Sequence, residues 1–271
     1  MPAVGISMEH FDAELNTDPC DRYNNAELTI ILRVCLRQRN PAGNAATGFH
    51  NDYGDPAETA RRIIRWDTES WASFRRRYQS TGQAFWTGKF WLITPDHHAA
   101  MDKTDRGVVY RPNVWCRMRL VLENSPGGAH TTIDVVRLAP TERWFGSHAQ
   151  LYDSRDLDPV AKGARMLQRA HVHEIGHLLG LGHSAEHRQA CLDTGNTNSN
   201  ICYGTTPEEV DDVMGSGMNL GPHHAVPWMQ AMGQFSHLDQ AVWAPMMIRH
   251  YPRTPQDIAA HRHITSQPQR G

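Results

Sequence analysis

The run of apolar and polar positions along the chain predicts a definite order of strands and helices. LTIILRVCLR (28–37) is β-branched and apolar, the pattern of a buried strand. Residues 38–56, QRNPAGNAATGFHNDYGDP, are turn chemistry throughout. From Ala57 to Gln79, the apolar residues Ala60, Ile63, Ile64, Trp71, Phe74 and Tyr78 fall at helical spacing. Arg61, Arg62, Arg65 and Arg75 to Arg77 lie between them, which predicts an amphipathic helix with a solvated basic face. FWLITP (90–95), VWCRMRLVLE (114–123) and TTIDVVRLA (131–139) predict strands, with shorter ones at GVVYR (107–111) and HAQLYD (148–153). Asp158-Pro159 opens a second helix running to about Leu179, with Pro159 in its first turn. AVPWMQAMGQF (225–235) sets Met and Trp at helical spacing and predicts a core-packed helix. Residues 1–24 are polar and predict an arm; residues 254–271 predict a loose tail. Strand, long helix, several strands and a second long helix make an α+β layout, a mixed sheet with two helices packed on it.

Composition narrows the function classes. With 27 basic and 29 acidic residues in 271, the chain has no global pull toward nucleic acid or anionic membrane, and no basic–aromatic module suggests a nucleic-acid partner. No apolar run approaches the length of a membrane span. The first twenty residues lack a basic segment followed by an apolar one, so no secretory signal is read. The expectation is a cytoplasmic protein or one that acts outside the producing cell, by a signal-free route or in signal-stripped form, with a lean to the latter. Five cysteines cannot form a complete disulfide framework within the chain. Cys191 and Cys202, close together in a polar loop, are a candidate pair; Cys35 and Cys116 sit in strand-like runs as buried thiols. Nothing in the sequence sets the oligomeric state.

The candidate chemistry lies in HVHEIGHLLGLGHS (171–184), which holds four of the chain's seventeen histidines. His173 and His177 are four apart, so on a helix both imidazoles share one face, one turn apart. Glu174 is about 100° round from His173 and can reach a water on a metal without being a ligand. Gly180, three residues on, can take positive φ and end the helix in a tight turn. The returning chain then brings His183 in as a third nitrogen ligand. Three protein ligands leave one position open, as a catalytic zinc requires. His171, two residues before His173, points elsewhere and is a bystander.

The pattern His173, Glu174, His177, Gly180, His183 resembles that of the metzincin clan of zinc endopeptidases, and Ser184 after it is most similar to the matrixin-like branch. The resemblance implies a metzincin-like fold: a mixed, twisted β-sheet, two long helices (an active-site helix and a backing helix) and a smaller, mostly irregular or helical C-terminal lobe. It implies a single catalytic domain over 25–253, with an upper lobe to about 183 and a lower lobe over 184–253. It implies a Met-turn, for which Met214 in Asp212-Val213-Met214-Gly215 is the candidate and Met218 the second choice. One catalytic Zn2+ would be held by His173, His177 and His183, with Glu174 as general base and then general acid. The partner would be a protein or peptide substrate lying extended along an edge strand between 107 and 153. The alternative is a zinc-binding metzincin scaffold that has lost activity and acts as a binding or structural protein. The intact Glu174 weighs against it, since structural zinc needs no base and usually has four protein ligands.

The sequence also departs from that pattern. His183 and Met214 are separated by a long polar insertion, 185–212, on the active-site side. Its Asn196, Asn198 and Asn200 would suit calcium, but only Asp193 among them is acidic, so a solvated loop is expected. Ser216 stands where astacin-like and serralysin-like enzymes carry a tyrosine ligand, so that ligand is not expected. No cysteine-switch sequence is present, and Cys20 is read as an ordinary thiol. His97-His98, His223-His224 and His237 would suit a second metal but fit surface loops better.

Overall fold

The computed structural model of the chain describes residues 3–18, 26–51, 60–105, 107–142, 150–162 and 166–247. The expected tail (254–271) and Cys20 lie outside them. In chain order the elements are β1 (Val4–Ser7), β2 (Asp12–Asn16), β3 (Ala26–Arg39), β4 (Thr47–His50), β5 (Arg61–Ile64), α1 (Thr68–Trp86), β6 (Phe90–Ile93), β7 (Lys103–Asp105), β8 (Val108–Tyr110), β9 (Val114–Glu123), β10 (Thr131–Val136), β11 (Leu151–Asp153), β12 (Val160–Ala161), β13 (Leu167–Gln168), α2 (Ala170–Leu178), α3 (Gln189–Leu192), α4 (Pro207–Asp211), α5 (Val226–Ser236) and β14 (Ala244–Met247). The architecture is α+β with a mixed sheet and a few helices.

The chain divides into two compact units that share β3 and β9 in sequence. The first takes residues 1–31, 86–119 and 222–271. Within it β2 is antiparallel to β1 and to β3, β6 is antiparallel to β9 and β14, and β7 and β8 form a hairpin. Residues 3–18, expected as an arm, are therefore strands. Buried Phe11 and Ala13 anchor them, and the ladder Asp12↔Ile31 to Asn16↔Glu27 satisfies their backbone. Helix α5 is the expected core helix: Trp228 is buried and its indole N–H donates to the Arg117 carbonyl at 2.8 Å. It ends at His237, which takes the left-handed conformation with φ 56°. His224, expected on a surface loop, is buried edge-on against Trp86.

The second unit takes residues 32–85 and 120–221. Here β10 runs parallel to its two neighbours, β3 (Thr131↔Val34 to Val136↔Arg39) and β11 (Asp134↔Leu151 to Val136↔Asp153), while β4 with β5 and β12 with β13 are antiparallel pairs. Asp134, buried on β10, is clamped by Arg37 and Arg39 of β3, with N–O distances of 2.5 Å to each. That pairing fixes the register with charge-assisted hydrogen bonds.

Both expected long helices start later than the periodicity predicts. Residues 61–64 are strand, paired with β4 in the segment expected as pure turn, and Ile63 is buried with Val136, Leu138 and Leu151. Helix α1 starts at Thr68 because Asp67 caps it, its carboxylate accepting from Ser70 N at 2.7 Å. Trp66 packs on Trp71 at 5.2 Å between ring centres, a hydrophobic staple across the cap. Likewise the described residues of the span opened by Asp158-Pro159 are not helical before Ala170. Val160 and Ala161 pair with Gln168 and Leu167 as a hairpin, and α2 covers only Ala170–Leu178. The Gln168 side chain is engaged elsewhere, with the Gly215 carbonyl.

Candidate metal centre

Helix α2 buries Val172, Ile175 and Leu179 along one stripe. It packs closely on α1, since a Cβ added at Gly82 would lie 2.5 Å from Ile175 Cδ1. His171 sets the rotation of the helix. It is fully buried, its Nε2 lies 2.8 Å from Thr81 Oγ1 on α1, and its Nδ1 lies 2.9 Å from the Asp156 carbonyl. Burial pushes its pKa down to about 4, so it stays neutral. The expected bystander is a structural bridge that turns His173 and His177 the other way.

The helix ends as the glycine predicts. Gly180 has φ +88°, its N–H donates to His177 O at 2.9 Å, and the Leu181 N–H reaches back to Gly176 O at 3.0 Å. These two bonds are a Schellman motif. The chain then turns back and delivers His183. The Nε2 atom of His177 lies 3.1 Å from that of His173 and 3.1 Å from that of His183. The three residues form a cluster able to hold a metal ion.

The opposite ring nitrogens explain the convergence. His173 Nδ1 lies 2.7 Å from Val213 O, His177 Nδ1 2.8 Å from Leu181 O, and His183 Nδ1 2.8 Å from Thr197 O. A carbonyl only accepts, so each Nδ1 carries the hydrogen and each Nε2 presents a lone pair to the centre. With His177 Nε2 3.1 Å from each of the other two, these lone pairs repel one another unless a cation lies among them. A proton is a poor candidate. Burial pushes the pKa of His173 to about 3 and that of His183 to about 4, and lowers that of His177. Imidazole nitrogens at about 2.0–2.1 Å from one tetrahedral ion are roughly 3.3 Å apart, close to the spacing here. The donor set therefore fits a metal ion.

Glu174 is buried beside this cluster, and burial pushes its carboxyl up to about 8, with Lys162 acting in the opposite direction. Cys191 and Cys202 are bonded, with their Cα atoms 5.0 Å apart. Cys35 and Cys116 are buried free thiols, as expected. Met214 is buried in a turn tied to the third histidine: Ser184 N donates to Met214 O at 3.2 Å, and both Ser184 Oγ and Met214 N donate to Asp212 Oδ1. A Cβ at Gly215 would lie 2.0 Å from Glu209 O, so the turn has room only for glycine there. Met218 serves another end of the site, its sulfur accepting from Arg169 N at 3.3 Å at the start of α2.

Three participants were not read from the sequence. Gln168 is buried and donates to Gly215 O at 2.9 Å, joining the start of α2 to the Met214 turn. Glu186 accepts from His183 N at 2.9 Å. Tyr203 lays its ring 4.0 Å from that of His183 and 5.7 Å from that of His173, between centres. Its only sequence signal is its position next to Cys202. All of these residues belong to the second unit. Compared with known proteins, the chain matches no family model, no curated protein and no solved structure.

Proposed function

We propose that the chain is a zinc-dependent endopeptidase of metzincin type. The observation that carries this reading is the convergence of three imidazole Nε2 atoms, each oriented by a backbone carbonyl, with the Glu174 carboxyl buried on the same helix. His173, His177 and His183 would hold the ion and leave a coordination position open. Zinc, when bound, supplies an acidified water and polarises the scissile carbonyl. Glu174 is the group that takes a proton at its carboxylate and passes it to the leaving amine. A carboxyl pushed up toward neutral pH is matched to both halves of that transfer, and a nearby dication draws it back down. Met214 forms the apolar floor beneath the imidazoles. The substrate would lie extended along an edge strand; β10 is paired on both sides and β11 is buried, so neither of these offers that edge.

The test is metal content together with hydrolysis of an unstructured protein such as casein, for the wild type and Glu174→Gln. The expected result is one zinc in each, and chelator-sensitive cleavage by the wild type alone, with Glu174→Gln slowed by about 100-fold or more. Zinc in both with cleavage by neither would favour the inactive scaffold. No zinc in either would refute the metal centre.

A further inference from the structure

The three carbonyls that orient the imidazoles are not held equally. Val213 is buried in the Met214 turn, and Leu181 belongs to the turn that ends α2. Thr197 sits in a segment, 192–198, that is exposed throughout. Among the described residues, the hydrogen bonds of residues 193–199 stay within 189–202, apart from the one accepted from His183 Nδ1. What closes this loop is the Cys191–Cys202 bond. The Cys202 end is already fixed beside the third ligand: its carbonyl accepts from Ala185 N at 2.9 Å, and the next residue, Tyr203, packs on the His183 ring. The disulfide ties the other end of the loop, in α3, to this fixed point.

We propose that the Cys191–Cys202 disulfide gates the metal centre by holding Thr197 against His183. The proposal rests on the zinc reading above. With the bond closed, all three imidazoles are oriented. With it open, the loop is released, His183 loses its brace, and two fixed ligands remain. Opening takes two electrons and two protons from a dithiol-class reductant, which becomes its own disulfide while Cys191 and Cys202 become thiols. The sulfurs are buried, so exchange follows local opening of the exposed loop. The metal is thus held tightly where the surroundings are oxidising and weakly where they are reducing.

The experiment compares zinc affinity of the full chain in three forms, by competition with a chromophoric chelator. These are the oxidised wild type, the wild type reduced with excess tris(2-carboxyethyl)phosphine, and Cys191→Ser/Cys202→Ser, which has no freed thiols to bind zinc. The expected result is about 10- to 100-fold weaker zinc in both altered forms, the usual effect of losing a ligand's outer support. Far-UV circular dichroism of the zinc-free forms checks that the fold survives. If the serine pair fails to fold, the reduced wild type with an unchanged spectrum decides. Equal affinity, within twofold, of oxidised and altered forms overturns the gate and leaves the zinc reading standing. Absence of zinc from the oxidised chain overturns both.

Discussion

Gly180 joins the fold to the site, and its replacement by alanine tests that link. At φ +88° an alanine Cβ crowds the neighbouring backbone, with a cost of roughly 1–2 kcal/mol for an L residue in this region. This backbone strain is the effect under test. The protein has two ways to respond. It keeps the turn and bears the strain, which lowers Tm by about 3–6 °C for a domain of this size. Or it relaxes the turn and loses the bonds Gly180 N to His177 O and Leu181 N to Gly176 O. Relaxation also moves the Leu181 carbonyl from His177 Nδ1, now 2.8 Å away. Zinc affinity then falls, by no more than the strain relieved, which at about 1.4 kcal/mol is roughly tenfold. Calorimetry and chelator competition on one preparation follow both responses. Gly180→Asn is the control, because asparagine tolerates the left-handed region, and it should recover most of the loss. Gly180→Ala with wild-type Tm and wild-type zinc affinity would refute the argument. So would an asparagine variant no better than the alanine one.

Chelation should destabilise the whole domain, because an ion that binds the folded chain alone, at about 1,000 times its Kd, contributes about 4 kcal/mol; calorimetry with and without chelator should show a drop of about 10 °C, and His177→Ala should show no response. Gly82→Val should loosen the packing of α1 on α2, since even a Cβ there meets Ile175 at 2.5 Å; a loss of about 1–3 kcal/mol is expected in urea unfolding, and an unchanged midpoint would argue against the close approach. Acid should weaken the chelated protein early. His171 has its folded pKa depressed to about 4 by burial, so the unfolded chain binds the proton first. The stability it contributes is full above about pH 6.5 and declines as pH falls toward 4; a urea midpoint flat from pH 7.5 to 5 would contradict this.

Much of this fold was legible where local pattern and tertiary need agree. The strand at 114–123 and the helix at 226–236 fall almost where the apolar spacing places them. The errors lie where a tertiary partner outbids local periodicity. Ile63 and Ile64 fit a helical stripe, but Ile63 is needed in the cluster with Val136 and Leu151, and Asp67 with Trp66 resets the helix start. Val160 and Ala161 pair with Gln168 and Leu167 where a helix was expected, and Gln168 reaches Gly215. For Ile63 and Gln168 the competing contact is 40 or more residues away in sequence, whereas the cap at Asp67 is local and is carried by the segment itself.

The candidate site divides along the same line. His173, His177, Gly180 and His183 were legible because one helix turn and one left-handed glycine suffice to place them. What makes them converge was not legible. Val213, Leu181 and Thr197 act through backbone carbonyls, and a carbonyl leaves no trace in residue identity. Any residue but a misfit would supply the same oxygen, so selection acts on where the loop runs and not on what it spells. The long insertion after His183, which as a sequence looks like solvated filler, therefore carries part of the site through the position of Thr197. The cysteines that close it are the one visible sign, because fixing a loop's course is the kind of requirement that does need particular side chains.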